Sequence, residues 1–346
     1  RKVGFEYSGD KIVIPEDMSL EDGIEALQRQ LKEENVVVDI SEPIAAFPFD
    51  GAHALMQVLQ RRYGWTNLIP SPGFFGPRPP QMIGVEVALN KRVQIPWGQM
   101  TVPKVEGTFS TGFGFENGMP IFKLYGSVKR KDERVLAQIA QEVRDYVKEN
   151  SIYRGQAIKI NFRDGDGNRH EFNPQVAPKF FDTKGLGDCQ PIFSKHIEDA
   201  IQLNLFNPIQ YSDQCRKSGI TLKRGVVLGG PYGTGKTLTA HQTAKIATDN
   251  GWTFLYLEDV RDLDLAISFA RLYQPCVLFA EDVDRAIGGF QRTNEMNQIL
   301  NTIDGIESKS EQALVMVLTT NNLPNINRAF LRPGRIDAVI EVLPPD

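Results

Sequence analysis

Leu20, Ile24, Leu27 and Leu31 recur at helical spacing, and Ser19 stands just ahead of them with Asp22 three residues on, as in a capping box. The run NVVVDI, Asn35 to Ile40, then reads as a strand, and a second helix is predicted over Ala52 to Tyr63, closed by Gly64 where a left-handed residue is wanted. Prolines in IPSPGFFGPRPP, Ile69 to Pro80, remove backbone donors and fix φ, so this segment is a loop. Alternating strands follow at GVEVAL, RVQIPW, GTFSTGFGF and IFKLYGSV. A strongly amphipathic helix is predicted over Lys131 to Lys148, with Val135, Leu136, Ile139, Val143, Tyr146 and Val147 on one face. QAIKINF and HEF then flank RDGDGNR as a hairpin around Gly165 to Gly167. Residues 1–185 are thus expected to form a strand-rich α+β unit.

From there the grammar changes. RGVVLGG, TFLYLE, CVLFAE, ALVMVLTT and AVIEVLP are short, continuously apolar runs separated by helical segments. That alternation predicts a parallel five-stranded sheet covered on both faces, an α/β unit over residues 186–346. No internal repeat links the two halves.

Composition narrows the class of function without naming it. A hydrophobic share of 41% and a charged share of 24% over 346 residues suit a globular protein of two units. The net charge of −4 gives no basic field, which disfavours nucleic acid as a partner. Cys189, Cys215 and Cys276 lie scattered without metal-ligand spacing and point to a reducing, cytoplasmic setting. No apolar run approaches the roughly 20 residues that span a bilayer, and residues 1–20 carry no signal-peptide pattern.

The chemistry concentrates in the second half. GPYGTGKT, Gly230 to Thr237, matches the phosphate-binding pattern GxxxxGK[ST] and sits between an expected strand and an expected helix. Gly230, Pro231, Tyr232, Gly233, Thr234, Gly235, Lys236, Thr237 and Leu238 would line the nucleotide phosphates. Glycines let successive N–H groups turn inward, and the helix start adds its positive end. Lys236 would reach the β and γ phosphates, and the Thr237 hydroxyl would join a magnesium shell. CVLFAEDVDR ends in Glu281, Asp282 and Asp284, where a parallel sheet presents acids to a ligand. The first half offers weaker candidates. Asp164, Asp166 and Asn168 open like a calcium loop, but Arg169 and Gln175 replace the required Gly and Glu, so a plain hairpin is expected. Phe74 and Phe75 read as local packing in preference to a partner-binding tip, GFGF at Gly112 to Phe115 lacks nucleotide-loop spacing, and His53 and His170 have no nearby ligand partners.

TTN at Thr319 to Asn321, FLRPGR at Phe330 to Arg335 and TIDGIE at Thr302 to Glu307 complete the pattern. With the P-loop and the acids, the sequence resembles the AAA+ ATPases, the AAA clade in particular, over about Pro191 to Asp346. The resemblance implies that Asn321 is the first sensor, that Arg332 and Arg335 are arginine fingers serving a neighbouring subunit, and that Asp304 lies near the same interface. It implies magnesium-dependent hydrolysis of ATP, with Lys236 on the phosphates, Glu281 and Thr237 toward Mg2+, and Asp282 polarising the attacking water. It further implies an oligomer, a hexameric ring or a helical assembly, that remodels or unfolds a protein recruited by the N-terminal unit. Three departures shape the expectation. The acids run Glu–Asp where the family runs Asp–Glu, so hydrolysis should be slow. No aromatic–glycine pair follows TFLYLE, and the chain stops at LPPD where the family continues into a helical lid, so the lid is expected to be absent from this chain. The rival reading is a nucleotide-switched scaffold with negligible hydrolysis, and a nucleic-acid-linked motor or loader comes third.

Overall fold

The computed structural model describes residues 6–8, 11–13, 18–64, 66–70, 76–77, 79–163, 169, 177–183, 191–220, 222–283, 313–325 and 335–344. Strands β1 (Glu6–Ser8) and β2 (Lys11–Val13) pair as a small antiparallel ladder. Helix α1 (Leu20–Glu34) starts as its capping box demands, with Ser19 Oγ accepting from the Asp22 N–H at 3.1 Å. Leu20, Ile24 and Leu31 of its apolar stripe are exposed. After β3 (Val37–Ile44) comes α2 (Pro48–Tyr63), which starts four residues before the expected Ala52. Pro48 explains the difference, since a proline in the first turn gives up an N–H that the helix does not use. Gly64 closes the helix at φ 75°.

β4 (Asn67–Leu68), β5 (Gln81–Ala88), β6 (Lys91–Trp97), β7 (Gln99–Thr101), β8 (Gly107–Glu116) and β9 (Met119–Lys129) follow, then α3 (Glu133–Asn150). β5 and β6 form a separate hairpin, while the others build an antiparallel sheet in the order β3–β9–β8–β7–β4. Helices α2 and α3 press closely on it: a Cβ on Gly51 would run into the Phe122 ring, and one on Gly126 into Leu136. Phe74, Phe75, Asp164, Asp166, Asn168, His170 and Cys189 lie outside the described residues.

The second sheet departs from expectation. It contains β10 (Ala157–Ile160), β11 (Lys179–Phe180), β12 (Arg224–Gly229), β13 (Thr253–Leu257), β14 (Cys276–Ala280), β15 (Leu314–Thr320) and β16 (Ala338–Glu341). Its order is β11–β10–β13–β14–β15–β12–β16, with every pairing parallel except β10–β11. The five expected strands are neighbours in it, but the sheet has seven. β10 and β11 come from the segment assigned to the N-terminal unit, so a division at 185/186 cuts through the sheet. Strand AIKI carries no local mark of a partner far along the chain, and its register, Ala157 opposite Phe254, is settled only by folding.

Both faces of this sheet are covered, which is why β14 and β15 are buried along their whole length. One set of alternate residues, including Val226, Phe254, Val277 and Val315, packs with the helical run of α4 (Lys195–Ile201), α5 (Asn207–Gln210) and α6 (Ser212–Lys217) and with α7 (Lys236–Asp249). The other set, including Leu255, Leu278 and Met316, packs with α8 (Leu263–Leu272) in a core continuous with that of the antiparallel unit. At the junction the Phe47 N–H donates to the Tyr273 hydroxyl at 2.8 Å, and the Arg154 guanidinium donates to the carbonyls of Leu272 and Gln274. Asp50 is fully buried there, accepting from Ser151 Oγ at 2.6 Å and the Ile152 N–H at 3.0 Å. Burial outweighs those bonds and pushes its carboxyl pKa up to about 6. No helix among the described residues is long and apolar enough to cross a membrane.

Candidate functional site

The glycine-rich loop leaves the C-terminal end of β12 and enters α7 at Lys236. Gly233 and Gly235 take φ of 80° and 96°, values that glycine reaches without penalty and that turn consecutive N–H groups inward. Gly230 has a different constraint: a Cβ there would run into the Val342 carbonyl oxygen. The Gly230 N–H donates to Thr320 O at 3.1 Å, tying the loop to the end of β15. Lys236 is buried, with Nζ donating to the carbonyls of Gly230 and Pro231 at 2.6 Å each, and Thr234 Oγ1 donates to Pro231 O at 2.9 Å. Tyr232 is 76% exposed on the outside of the loop; Thr237 is exposed and Leu238 half-buried in the first turn of α7.

The acids arrive from β14, two strands away. Glu281 accepts from the Tyr256 hydroxyl at 2.9 Å through Oε2, while its Oε1 is buried with no hydrogen-bond partner among the described residues. Asp282 takes φ 52°, a left-handed conformation that Asp tolerates better than most side chains. Its N–H donates to Thr319 Oγ1 at 3.2 Å, and the Val283 N–H donates to Thr319 O at 2.9 Å. That bend carries the Asp282 carboxylate to the end of β15, where Oδ1 accepts from Asn321 Nδ2 at 2.7 Å. The P-loop, Glu281, Asp282 and Asn321 are therefore gathered at the C-terminal ends of β12, β14 and β15.

Arg335 lies elsewhere. Its carbonyl abuts Gly225 at the start of β12, where Asp337 exchanges hydrogen bonds with Gly225 at 2.8 Å each way. At about 3.3 Å per residue, Gly225 and Gly230 are separated by about 16 Å along the strand. Arg335 is thus distant from the P-loop of its own chain. Arg332, Asp304 and Asp284 lie outside the described residues.

Among the described residues no group of three or more His, Cys, Asp or Glu could hold a metal ion. Thr237 and the bare Oε1 of Glu281 are instead the side-chain groups that could hold a hydrated magnesium, which would take its other ligands from phosphates. The glycine cradle, a buried lysine and this unpaired acid oxygen together fit a magnesium nucleotide. Two residues carry roles that no motif assigned to them: Thr319, which holds the bend at Asp282, and Tyr256, which holds Glu281. Burial, then the Glu281 carboxylate, raises the Tyr256 phenol pKa above its usual value, so it remains a donor.

The connection after β13 is equally specific. Asp262 is fully buried and accepts from Arg163 Nε at 2.8 Å and Arg169 Nε at 2.6 Å, and Arg169 also pairs with Asp264 at 2.7 Å. The acids of this connection, Asp262 and Asp264, are thus ion-paired to Arg163 and Arg169, the end residues of RDGDGNR.

Residues 226–343, which include the P-loop, the acids and Asn321, match the family model described as "ATPase family associated with various cellular activities (AAA)". The chain carries an AAA domain. The chain is similar to several curated proteins. The mitochondrial inner membrane m-AAA protease component AFG3L2 of Mus musculus is 37% identical over 213 residues, 56% of this chain and 25% of that protein. The 26S proteasome regulatory subunit 10B homolog A of Arabidopsis thaliana is 32% identical over 185 residues, 47% of this chain and 42% of that protein. The ATP-dependent zinc metalloprotease FtsH of Mycoplasmopsis synoviae (strain 53) is 31% identical over 215 residues, 56% of this chain and 31% of that protein. This chain thus spans less than half the length of each relative. β10 and β11 precede the matched AAA domain yet extend its sheet.

Proposed function

We propose that the AAA domain binds ATP with magnesium and hydrolyses it, and that an oligomer of this chain couples hydrolysis to remodelling, unfolding or disassembly of a protein partner. The observation that carries the reading is the 2.7 Å bond from Asn321 Nδ2 to Asp282 Oδ1 beside the P-loop, which gives the carboxylate an oriented neighbour. In this reading the loop N–H groups of Gly230 to Leu238 and Lys236 bind the phosphates, and Thr237 and Glu281 hold the magnesium. Bound there, magnesium would neutralise charge on the β and γ phosphates. Asp282 accepts the proton of the attacking water, and Asn321 fixes the direction of approach. The remote position of Arg335 supports a role across a subunit boundary, and Arg332 is assigned with it. That arrangement calls for a hexameric ring or a helical assembly. The antiparallel N-terminal unit is assigned the recruitment of the protein client, in a reducing, cytoplasmic setting.

Phosphate release from MgATP tests the reading. The parent should turn over, and Lys236→Ala should lose nucleotide binding while remaining folded. ATP binding and assembly without measurable phosphate release would favour the nucleotide-switched scaffold. Turnover that rises only with added nucleic acid would favour a motor or loader.

A further inference from the structure

A glutamate has one more rotatable bond than an aspartate, so an acid of this length needs an anchor if its carboxylate is to meet a cation in one orientation. Glu281 has such an anchor. Tyr256, on β13, lies in register with Phe279 of β14 and donates its hydroxyl to Glu281 Oε2 at 2.9 Å. The ring that carries this hydroxyl is held on both faces. It stacks on Phe279 with centroids 6.4 Å apart and an interplanar angle of 10°, and on Phe181 at 5.6 Å and 23°. Phe181 follows β11, its N–H donating to Ala157 O at 2.8 Å, and His241 of α7 lies 4.6 Å from its ring. A row of aromatic rings therefore runs from the edge of the sheet to β14. At its end one carboxylate oxygen is pinned, and the other is buried without a hydrogen-bond partner among the described residues. A buried bare carboxylate oxygen is costly unless a ligand meets it.

We propose that Tyr256 is a positioning residue for magnesium: it clamps Glu281 Oε2 so that Oε1 faces the cation or a water bound to it, and Phe181 and Phe279 hold the clamp. The inference rests on the ATPase reading above. It also gives the added edge of the sheet a task, because Phe181 belongs to the segment that precedes the matched AAA domain.

Tyr256→Phe removes the hydroxyl and keeps the ring, so it separates clamping from packing. Binding of a fluorescently labelled ATP is titrated against magnesium, and separately measured in EDTA, with thermal unfolding recorded alongside. A lost hydrogen bond to a charged group should raise the magnesium concentration for half-maximal effect about tenfold. Affinity in EDTA should stay at the parent's value, and the unfolding temperature should fall by no more than the few degrees that one lost hydrogen bond costs. Phe181→Ala should move the magnesium dependence in the same direction. In a Glu281→Gln background Tyr256→Phe should add nothing further, since both changes remove one interaction. An unchanged magnesium dependence, an additive double variant, or equal losses in EDTA and magnesium would overturn the clamp. A parent that fails to bind ATP, or binds it without regard to magnesium, would overturn the ATPase reading itself and the clamp with it.

Discussion

Replacing Asp282 by glutamate installs the acid that the AAA resemblance implies at that position and should nevertheless slow the proposed ATP hydrolysis. The substitution extends the side chain by one carbon–carbon bond, about 1.5 Å. In the parent, Oδ1 sits 2.7 Å from Asn321 Nδ2 on a backbone held at φ 52° by Thr319. The longer carboxylate must either leave Asn321 or coil back, and the left-handed backbone suits glutamate less well than aspartate. Losing a hydrogen bond to a charged group costs about 1.5–3 kcal/mol. A misplacement of about 1 Å at a reacting centre costs on the order of 10² in rate. Turnover of Asp282→Glu should therefore fall by about 10- to 100-fold, as read from phosphate release at saturating MgATP. Asp282→Asn should still bind ATP and lose about 10²–10⁴ in rate, the usual worth of a general base. Glu281→Gln should mainly raise the magnesium requirement. The reasoning is refuted if Asp282→Glu matches or exceeds the parent with undiminished stability. If Asp282→Asn runs at the parent rate while Glu281→Gln is inactive, the roles of the two acids are the reverse of those assigned.

Arg335→Ala should retain ATP binding but lose about 10³–10⁵ in turnover, and mixing it with Asp282→Asn should restore part of the rate at junctions where each subunit supplies what the other lacks; no rescue on mixing would argue against a trans role. For Asp50, a carboxyl raised from 3.8 to about 6 favours the protonated form of the folded protein, so its contribution is present below pH 3.8 and lost as pH rises through about 6. Denaturant titrations should show Asp50→Asn gaining on the parent by about 2–3 kcal/mol between pH 4 and pH 7, and parallel pH profiles would contradict the assignment. Gly230→Ala should abolish nucleotide binding because its Cβ meets the Val342 carbonyl oxygen, whereas Gly233→Ala has open space around it and should show only the strain of its φ of 80°, about 1–2 kcal/mol in unfolding measurements.

The P-loop, the acidic strand end and Asn321 were legible in the sequence because each is a local pattern whose chemistry needs those residue types in that order. The same holds for the Ser19 cap and the Gly64 stop, which act over three or four residues. What the sequence left open is partnership. Periodicity shows that AIKI has an apolar face, but only folding puts Ala157 opposite Phe254 and adds two strands to the sheet. The spacing of Leu20, Ile24 and Leu31 marks a helix equally well whether its stripe is buried or, as here, exposed. Asp282 meets Asn321 across 39 positions and Tyr256 meets Glu281 across 25, through a left-handed bend and a row of stacked rings that no local pattern encodes. Side chains so distant in sequence are brought within hydrogen-bond reach by the register of parallel strands, and that register is a property of the packed sheet.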